Sequence, residues 1–456
     1  MAEGAAILMR RLMWLVALAA VLAALPLSVS ANPACDVIFK NRYKGNDVVR
    51  LDVEGVRTLV LLPNDYASGS RSYPTVYLLP GGISPPDDYL LYTDLRAFTL
   101  SRPADRQAIV VLVDFIKQGV FIDWHDGRYQ GAKFFVETLI PTIDRTFRTI
   151  ADGRHRAIAA YSYPNFGSTL LAAQHPEMFA ALATFSGAVG PNETDPVMTA
   201  FVPPAGIAPP LCNDQPTQID PFGVWGDPIT DALWWHDGSA VDLAPNLRGM
   251  RVDVFAQHFG PCDARDVVES VTDHFPFPFV ERWVEVVADR FVRALTDASV
   301  DHRYMLRPCG VHTYRYVEQD IHDWWEPMFA AFGRPVPSSF DFRRATSRFS
   351  QWGWSFQADP SRAAEFLDVA DASANGVTLT GSGVATVTTA VFFAPGAEIA
   401  LTGAQEASAI ADEAGRITFH VDLGPAHRFQ QFTIPARALE ALGDYWTTRV
   451  VKFGSS

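Results

Sequence analysis

The sequence predicts two units: an α/β unit built on a mostly parallel sheet and, behind it, a smaller all-β unit. Three observations carry this reading. Short apolar runs alternate with helix-like segments from about residue 75 to 330; Gly333 to Ser339 (GRPVPSS) reads as a linker; and beyond it come short β-rich runs separated by Gly and Asx turns. Alternating strand and helix covers a parallel sheet on both faces, which is why its strands are apolar throughout rather than at every second position.

In chain order, residues 1–31 hold Arg10-Arg11, an uncharged run from Leu12 through Leu25, then Pro26 and Val29-Ser30-Ala31. A charged start, an apolar middle and a small-residue end make a secretory signal peptide, cut after Ala31. The competing reading is an uncleaved anchor, since Leu12 to Ala34 carries no charge; Pro26 and the V-S-A ending argue against it. The expected location is therefore secreted, extracellular or in the cell envelope. Residues 32–335 form the α/β unit and 336–456 the β unit.

Within the α/β unit, Thr75 to Leu79 is a buried strand ending in Pro80-Gly81-Gly82, and Ala108 to Asp114 is the next. Lys133 to Phe147 has helical spacing. Arg154 to Pro176 begins as a strand (Ala157 to Ala160), turns at Tyr161-Ser162-Tyr163 and continues as a helix. Ala180 to Ser186, Arg251 to Ala256 and His302 to Leu306 supply later strands. Ligands of such sheets sit beyond the carboxyl ends of the strands, so the Ser162 turn, the Gly81-Gly82 loop and the loops after residues 256 and 306 converge on one place. In the second unit Val377 to Thr380, Val384 to Phe393, Ile399 to Thr402, Ile417 to Leu423 and Thr447 to Phe453 are spaced as in a β-sandwich.

The chain holds 37 Lys+Arg against 51 Asp+Glu, a formal charge of −14, which argues against nucleic acid or anionic lipid as a partner. Four cysteines in an exported chain imply two disulfides. Cys262 follows one strand and Cys309 ends the next, so they are expected to pair, leaving Cys35 with Cys212. No Cys/His spacing resembles a zinc site, and no metal or cofactor is expected.

A serine at a sharp strand-to-helix turn is lifted above the sheet edge, with free helix N–H groups behind it. Such turns need small flanking residues, and here these are Ala160 and Pro164. A serine nucleophile requires a base, and His312, in PCGVHTYRY after the strand ending near Leu306, is better placed than His258 or His322. For an acid to orient that base, Asp263, Asp266, Glu269 and Glu281 all lie in the right interval, and spacing does not separate them. Oxyanion donors are expected from the N–H of Tyr163 and from the loop after Gly81-Gly82.

The first unit resembles the putative-esterase family of α/β-hydrolases, and most closely the secreted mycolyltransferases of mycobacteria. The resemblance is carried by YLLPGG with Asp87-Asp88-Tyr89, by Phe121-Ile122-Asp123-Trp124, by FVETLIPTID, SYPNFGSTLLAAQHPEMF and FSG, by VWGDPITDALWWHDGSAVDLAPNL, and by PCGVHTYRY. It implies an α/β-hydrolase fold, Ser162 as nucleophile and His312 as base. It also implies Glu281 as the acid, because Phe279-Val280-Glu281 stands before Phe291 at the family's spacing, and it puts the second oxyanion donor on Ile83 or Gly82. Pro164 departs from the family's glycine, and Pro80 and Ser84 stand where the mycolyltransferases hold their sugar with Asp and Arg.

These residues imply an exported serine esterase acting on a small-molecule or lipid ester. The alternatives are acyl transfer to an envelope sugar or alcohol, and a non-catalytic glycan-binding protein on a hydrolase scaffold. Asp87 and Trp124 are candidates for holding a polyol, and Phe277 and Phe279, in the stiff run His274 to Phe279, for walling the acyl side. The β unit offers no nucleophile–base pairing, only aromatic positions such as Trp352 and Trp354, and is expected to serve as a spacer or wall-binding module.

Overall fold

In the computed structural model, residues 43, 45, 47–81, 84–114, 116–187, 189–190, 221–258, 260–272, 280–443 and 445–454 are described. The expected signal peptide, the Cys35–Cys212 pair, Gly82, Ile83, Phe277 and Phe279 lie outside them.

Eight strands make the first sheet: β1 (Val48–Val53), β2 (Val56–Leu61), β3 (Thr75–Leu79), β4 (Ile109–Val113), β5 (Arg156–Tyr161), β6 (Ala181–Phe185), β7 (Arg251–Gln257) and β8 (His302–Arg307). Their order is β1-β2-β4-β3-β5-β6-β7-β8. From β4 through β8 the neighbours are parallel, while β1, β2 and β4 pair antiparallel. This is the α/β-hydrolase fold that the sequence implies. The β1–β2 hairpin went unread in the sequence, although its turn is explicit: Glu54 and Gly55 adopt φ +51° and +84°, the left-handed pair that a two-residue hairpin turn requires.

Strand alternation sends side chains to both faces, and both faces are dry. Ile158 and Ala160 of β5 join one core with Tyr77, Leu79, Ile109 and Val111, whereas Ala157, Ala159 and Tyr161 join the other with Val76, Leu78, Val110 and Leu112. The helices that cover these faces are read from their buried stripes. In chain order they are α1 (Asp88–Tyr92), α2 (Leu95–Ser101), α3 (Gly131–Lys133), running through a π-helical stretch Phe134–Leu139 into α4 (Ile140–Thr146), α5 (Asn165–Gln174), α6 (Pro221–Trp225), α7 (Ala232–Asp237), α8 (Ala264–Thr272), α9 (Val280–Asp297) and α10 (Tyr314–Ala331). On α9, Val284, Val287, Ala288, Phe291 and Leu295 repeat at helical spacing and pack on the first face. On α10, Val317, Ile321, Trp324, Trp325 and Met328 do the same on the second. Among the described residues no helix is long and apolar enough to cross a membrane.

The chain then builds two antiparallel sheets from β9 (Ser339–Arg344), β10 (Arg348–Gln351), β11 (Trp354–Gln357), β12 (Leu367–Ser373), β13 (Gly376–Gly381), β14 (Val384–Thr388), β15 (Glu398–Thr402), β16 (Ser408–Ile410), β17 (Thr418–Asp422) and β18 (Thr447–Phe453), with α11 (Ile434–Glu440) before the last strand. Four strands run β10-β11-β14-β17 and six run β16-β15-β18-β13-β12-β9. Their inner faces share one core, in which Trp354, Leu379, Val387, Phe419 and Val421 are buried.

This part is fastened to the first sheet's layers rather than strung behind them as a spacer. Strand β9 is the edge of its sheet, and the buried Asn246 side chain meets that edge as a peptide group would. Its Oδ1 accepts from Arg343 N–H at 2.8 Å, and its Nδ2 donates to Arg343 O at 3.1 Å and to Ala173 O at 2.9 Å. Asp237 Oδ1 accepts from Ala345 N–H at 3.1 Å, Phe432 stacks on His236 with ring centroids 3.7 Å apart, and Ala345 and Phe366 belong to the first core. Asn246→Ala removes three hydrogen bonds and strands two backbone groups of Arg343, so it should destabilise the protein by about 2–4 kcal/mol. Urea unfolding reads this directly, and an unshifted midpoint would show that the Asn246 contact contributes nothing.

Candidate active site

The site begins with a backbone torsion. Ser162 follows β5 directly at φ +63°, a left-handed conformation that costs a non-glycine residue energy. Its N–H still pairs with Phe185 O at 3.0 Å, extending the β5–β6 register by one residue before the chain turns. Pro164, with φ −63°, precedes the first residue of α5, and its carbonyl accepts from Ser168 N–H at 3.0 Å. The ring thus sits where no N–H is needed and its fixed φ suits a helix entry, so the departure from glycine fits the turn. Gly167 faces the Val120 carbonyl so closely that a Cβ would collide with it, which fixes a glycine in the first turn of α5.

From that turn a chain of hydrogen bonds runs across two further elements. His312 Nε2 lies 2.7 Å from Ser162 Oγ, and His312 Nδ1 lies 2.5 Å from Glu281 Oε1. Glu281 stands in the first turn of α9 and is 2 % exposed. The three residues that the sequence brought together by family spacing are thus in contact. The other three acids are occupied elsewhere. Buried Asp266 accepts from Cys262 N–H at 2.7 Å, Tyr316 O–H at 2.6 Å and Arg315 Nη1 at 2.7 Å. Asp263 also pairs with Arg315, whose guanidinium holds its carboxyl below the usual range, and Glu269 pairs with Arg265. Of the rival histidines, His258 binds Glu285 at 2.9 Å, and His322 binds Asp94 at 2.8 Å.

A fourth side chain joins the contact, and the sequence reading passed over it. Ser186, directly after β6, places Oγ 2.5 Å from Glu281 Oε1 and 3.1 Å from His312 Nδ1. Its signal is the string FSG, part of the family resemblance but indistinguishable from any serine at a strand end.

Beside the turn, the Tyr163 N–H makes no hydrogen bond among the described residues, so it is available to an oxyanion on Ser162. The opposite loop is held by aromatic packing. Gly81 lies against the Tyr161 ring, where a Cβ would come within 2.8 Å of Cδ1, and its N–H donates to Tyr314 O–H at 3.2 Å. The Tyr161 ring packs on His312 with centroids 4.8 Å apart and on Tyr314 at 5.0 Å. Burial pushes the Tyr314 phenol well above its ordinary pKa, so it stays protonated and hydrogen-bonding.

Two residues expected to hold a polyol are committed to the fold. Asp87 is 2 % exposed, pairs with Arg57 at 3.3 Å and accepts from Tyr43 N–H at 3.2 Å. Trp124 is buried, donates its indole N–H to Gly119 O at 3.1 Å and carries Arg128 over its ring. Asp87 is thus engaged with Arg57 and Tyr43, and Trp124 spends its one N–H on Gly119.

Cys262 and Cys309 form a disulfide, as the strand order predicted. Gly310 N–H donates to Gly260 O at 2.7 Å beside it, so the loop after β7 and the loop carrying His312 are joined twice. Among the described residues no group of His, Cys, Asp or Glu is arranged to hold a metal ion.

Residues 54–257 match the family model described as putative esterase. The proteins named Esterase Rv1288 and Esterase MT1326, from two strains of Mycobacterium tuberculosis, are each 32% identical over 139 residues, which is 28% of this chain and 28% of each relative. The chain therefore matches well under a third of the length of these curated relatives. Among solved structures, MPT51 (FbpC1) of Mycobacterium tuberculosis aligns at 17% identity and a TM-score of 0.49, covering 63% of this chain and 100% of that one. An S-formylglutathione hydrolase from Agrobacterium tumefaciens aligns at 16% and 0.44, covering 63% and 95%. Over residues 54–257, a stretch just short of half the chain that carries Ser162, the sequence is similar to the putative-esterase family.

Proposed function

We propose that this protein is an exported serine esterase that cleaves a carboxylic ester through an acyl-serine intermediate, with Ser162 as nucleophile, His312 as base and Glu281 as the acid that orients it. The observation that supports this reading is the unbroken hydrogen-bond chain from Ser162 Oγ through His312 to the buried Glu281. Ser162 Oγ attacks the carbonyl carbon as its proton passes to His312 Nε2, and Glu281 stabilises the imidazolium through Nδ1. The tetrahedral oxyanion is met by Tyr163 N–H and by an N–H of the Gly82–Ile83 loop. Collapse expels the alcohol, which takes the proton from Nε2. Water then repeats the sequence, giving its own proton to His312 and releasing the acid.

Hydrolysis is preferred to acyl transfer because a transferase must hold its acceptor beside the acyl-serine. Asp87 and Trp124 are tied to Arg57 and Gly119, and Pro80 adds no hydrogen-bonding side chain. The signal-peptide reading of residues 1–31 supports export. In this proposal residues 32–335 carry the chemistry, residues 336–456 brace that unit, and no cofactor takes part.

Ser162→Ala should abolish labelling by a fluorophosphonate probe and lower p-nitrophenyl ester turnover roughly 10³-fold or more. Glu281→Gln should cost far more than Asp266→Asn at equal folded fraction. A crippled Asp266→Asn enzyme beside an active Glu281→Gln enzyme would sink the assignment of the acid. Diversion of most acyl groups into a sugar ester on adding trehalose would replace the hydrolase reading with the transferase one.

The disulfide gives a separate expectation. Cys262→Ser/Cys309→Ser should lower stability by about 2–4 kcal/mol. Because the bond anchors the loop that bears His312, the same variant should lower kcat more than it changes KM. A thermal melt and an ester assay on one sample test both, and loss of stability with unchanged kcat would uncouple the loop from the chemistry.

A further inference from the structure

We propose that Ser186 is a positioning residue of the relay, a fixed hydroxyl that holds Glu281 and His312 in register; the inference rests on the esterase reading above. Ser186 is 1 % exposed, and its N–H pairs with Phe255 O at 3.0 Å, so the residue is anchored to β7 as Ser162 is anchored to β6. Like Ser162 it adopts a left-handed backbone, φ +43°, at a carboxyl strand end. That conformation is unfavourable for serine and serves to aim Oγ sideways along the sheet edge.

The hydrogen-bond directions follow from donor inventory. An ionised carboxylate only accepts, so the Ser186 hydroxyl donates to Glu281 Oε1 at 2.5 Å. Its lone pairs are then left facing His312 Nδ1 at 3.1 Å, and the Nδ1–H is shared between Glu281 Oε1 and Ser186 Oγ. The three groups close a triangle. Glu281 has three side-chain torsions and His312 two, and each would be free to swing if held by the other alone. The rigid corner is Ser186, which has a single side-chain torsion and stands on a strand end. When His312 takes the Ser162 proton, the imidazolium already has two oxygen acceptors at fixed positions on its Nδ1 side, which is preorganisation of the kind that favours the transition state.

The following residue ties the same turn to the nucleophile. Gly187 faces the Asn165 amide so closely that a Cβ would collide with it, and Asn165 Nδ2 donates to Ser162 O at 2.8 Å. The Ser186-Gly187 turn therefore touches the acid and the base through one residue and the nucleophile's turn through the next.

The test uses Ser186→Ala and Ser186→Gly in the full chain. Both delete Oγ, but glycine also relieves the left-handed backbone, so it keeps a folded protein in hand even where alanine is poorly tolerated. Each variant should lose roughly ten- to a hundredfold in kcat, part of the full worth of base catalysis, with KM within about twofold of the parent and with Ser186→Gly melting above Ser186→Ala. In the resting protein the far-downfield proton resonance of His312 Nδ1–H should shift or broaden in both variants, a readout that needs no substrate. If both variants keep kcat within about twofold and leave that resonance in place, Ser186 only satisfies a buried carboxylate and the proposal fails. It fails equally if Ser186→Gly is fully active while Ser186→Ala is not, since backbone strain would then explain the loss. An inert parent chain towards every ester would instead count against the esterase reading, while the resonance would still report on Ser186.

Discussion

The left-handed turn at Ser162 is the constraint on which the site depends. A parallel strand normally delivers alternate side chains to the two faces of its sheet, where both are covered and dry. Reversing the sign of one φ lifts a single hydroxyl out of that alternation and sets it above the sheet edge. The turn is tolerated because it is over-determined: its N–H still pairs with β6, its carbonyl accepts from Asn165, and Gly167 lets the helix behind it close against Val120. The partners of Ser162 come from other elements, with Glu281 on α9, His312 before α10 and Ser186 after β6. A parallel sheet brings them together because every strand in that half ends on the same side.

Much of this is legible in the chain. Strand β3 was read to the residue, β4, β6, β7 and β8 within one, and the Ser162 turn correctly, because a fully buried parallel strand is a short apolar run that ends where chemistry begins. The distance from Ser162 to His312 along the chain carries no such signal, and of four acids in one interval only the family spacing distinguished Glu281. The structure adds the physical ground: Asp266, Asp263 and Glu269 each already have an arginine.

What went unread shares one cause. Ser186, the burial of Asp87 against Arg57 and the clasp of Asn246 on Arg343 are contacts between residues far apart in sequence, and none disturbs the local pattern. The β1–β2 hairpin is a different case, since Glu54-Gly55 between two Val-rich runs is a local signal and could have been taken. In the second unit all five expected runs fall on strands, whereas β9 to β12 and β16 do not stand out in the sequence, being short or having their apolar residues interleaved with polar and charged ones.

The clasp on β9 also bears on what a sheet edge would otherwise do. Strand β9 is the outermost of six, and its free side is met by Asn246, a residue belonging to the segment before β7. Asn246 takes up both the N–H and the carbonyl of Arg343, so at that residue the rim is closed to another strand. A fragment beginning at the linker would present that rim bare, inviting strand exchange with its own copies. Contact with the first unit thus guards the second against the pairing that an open edge invites.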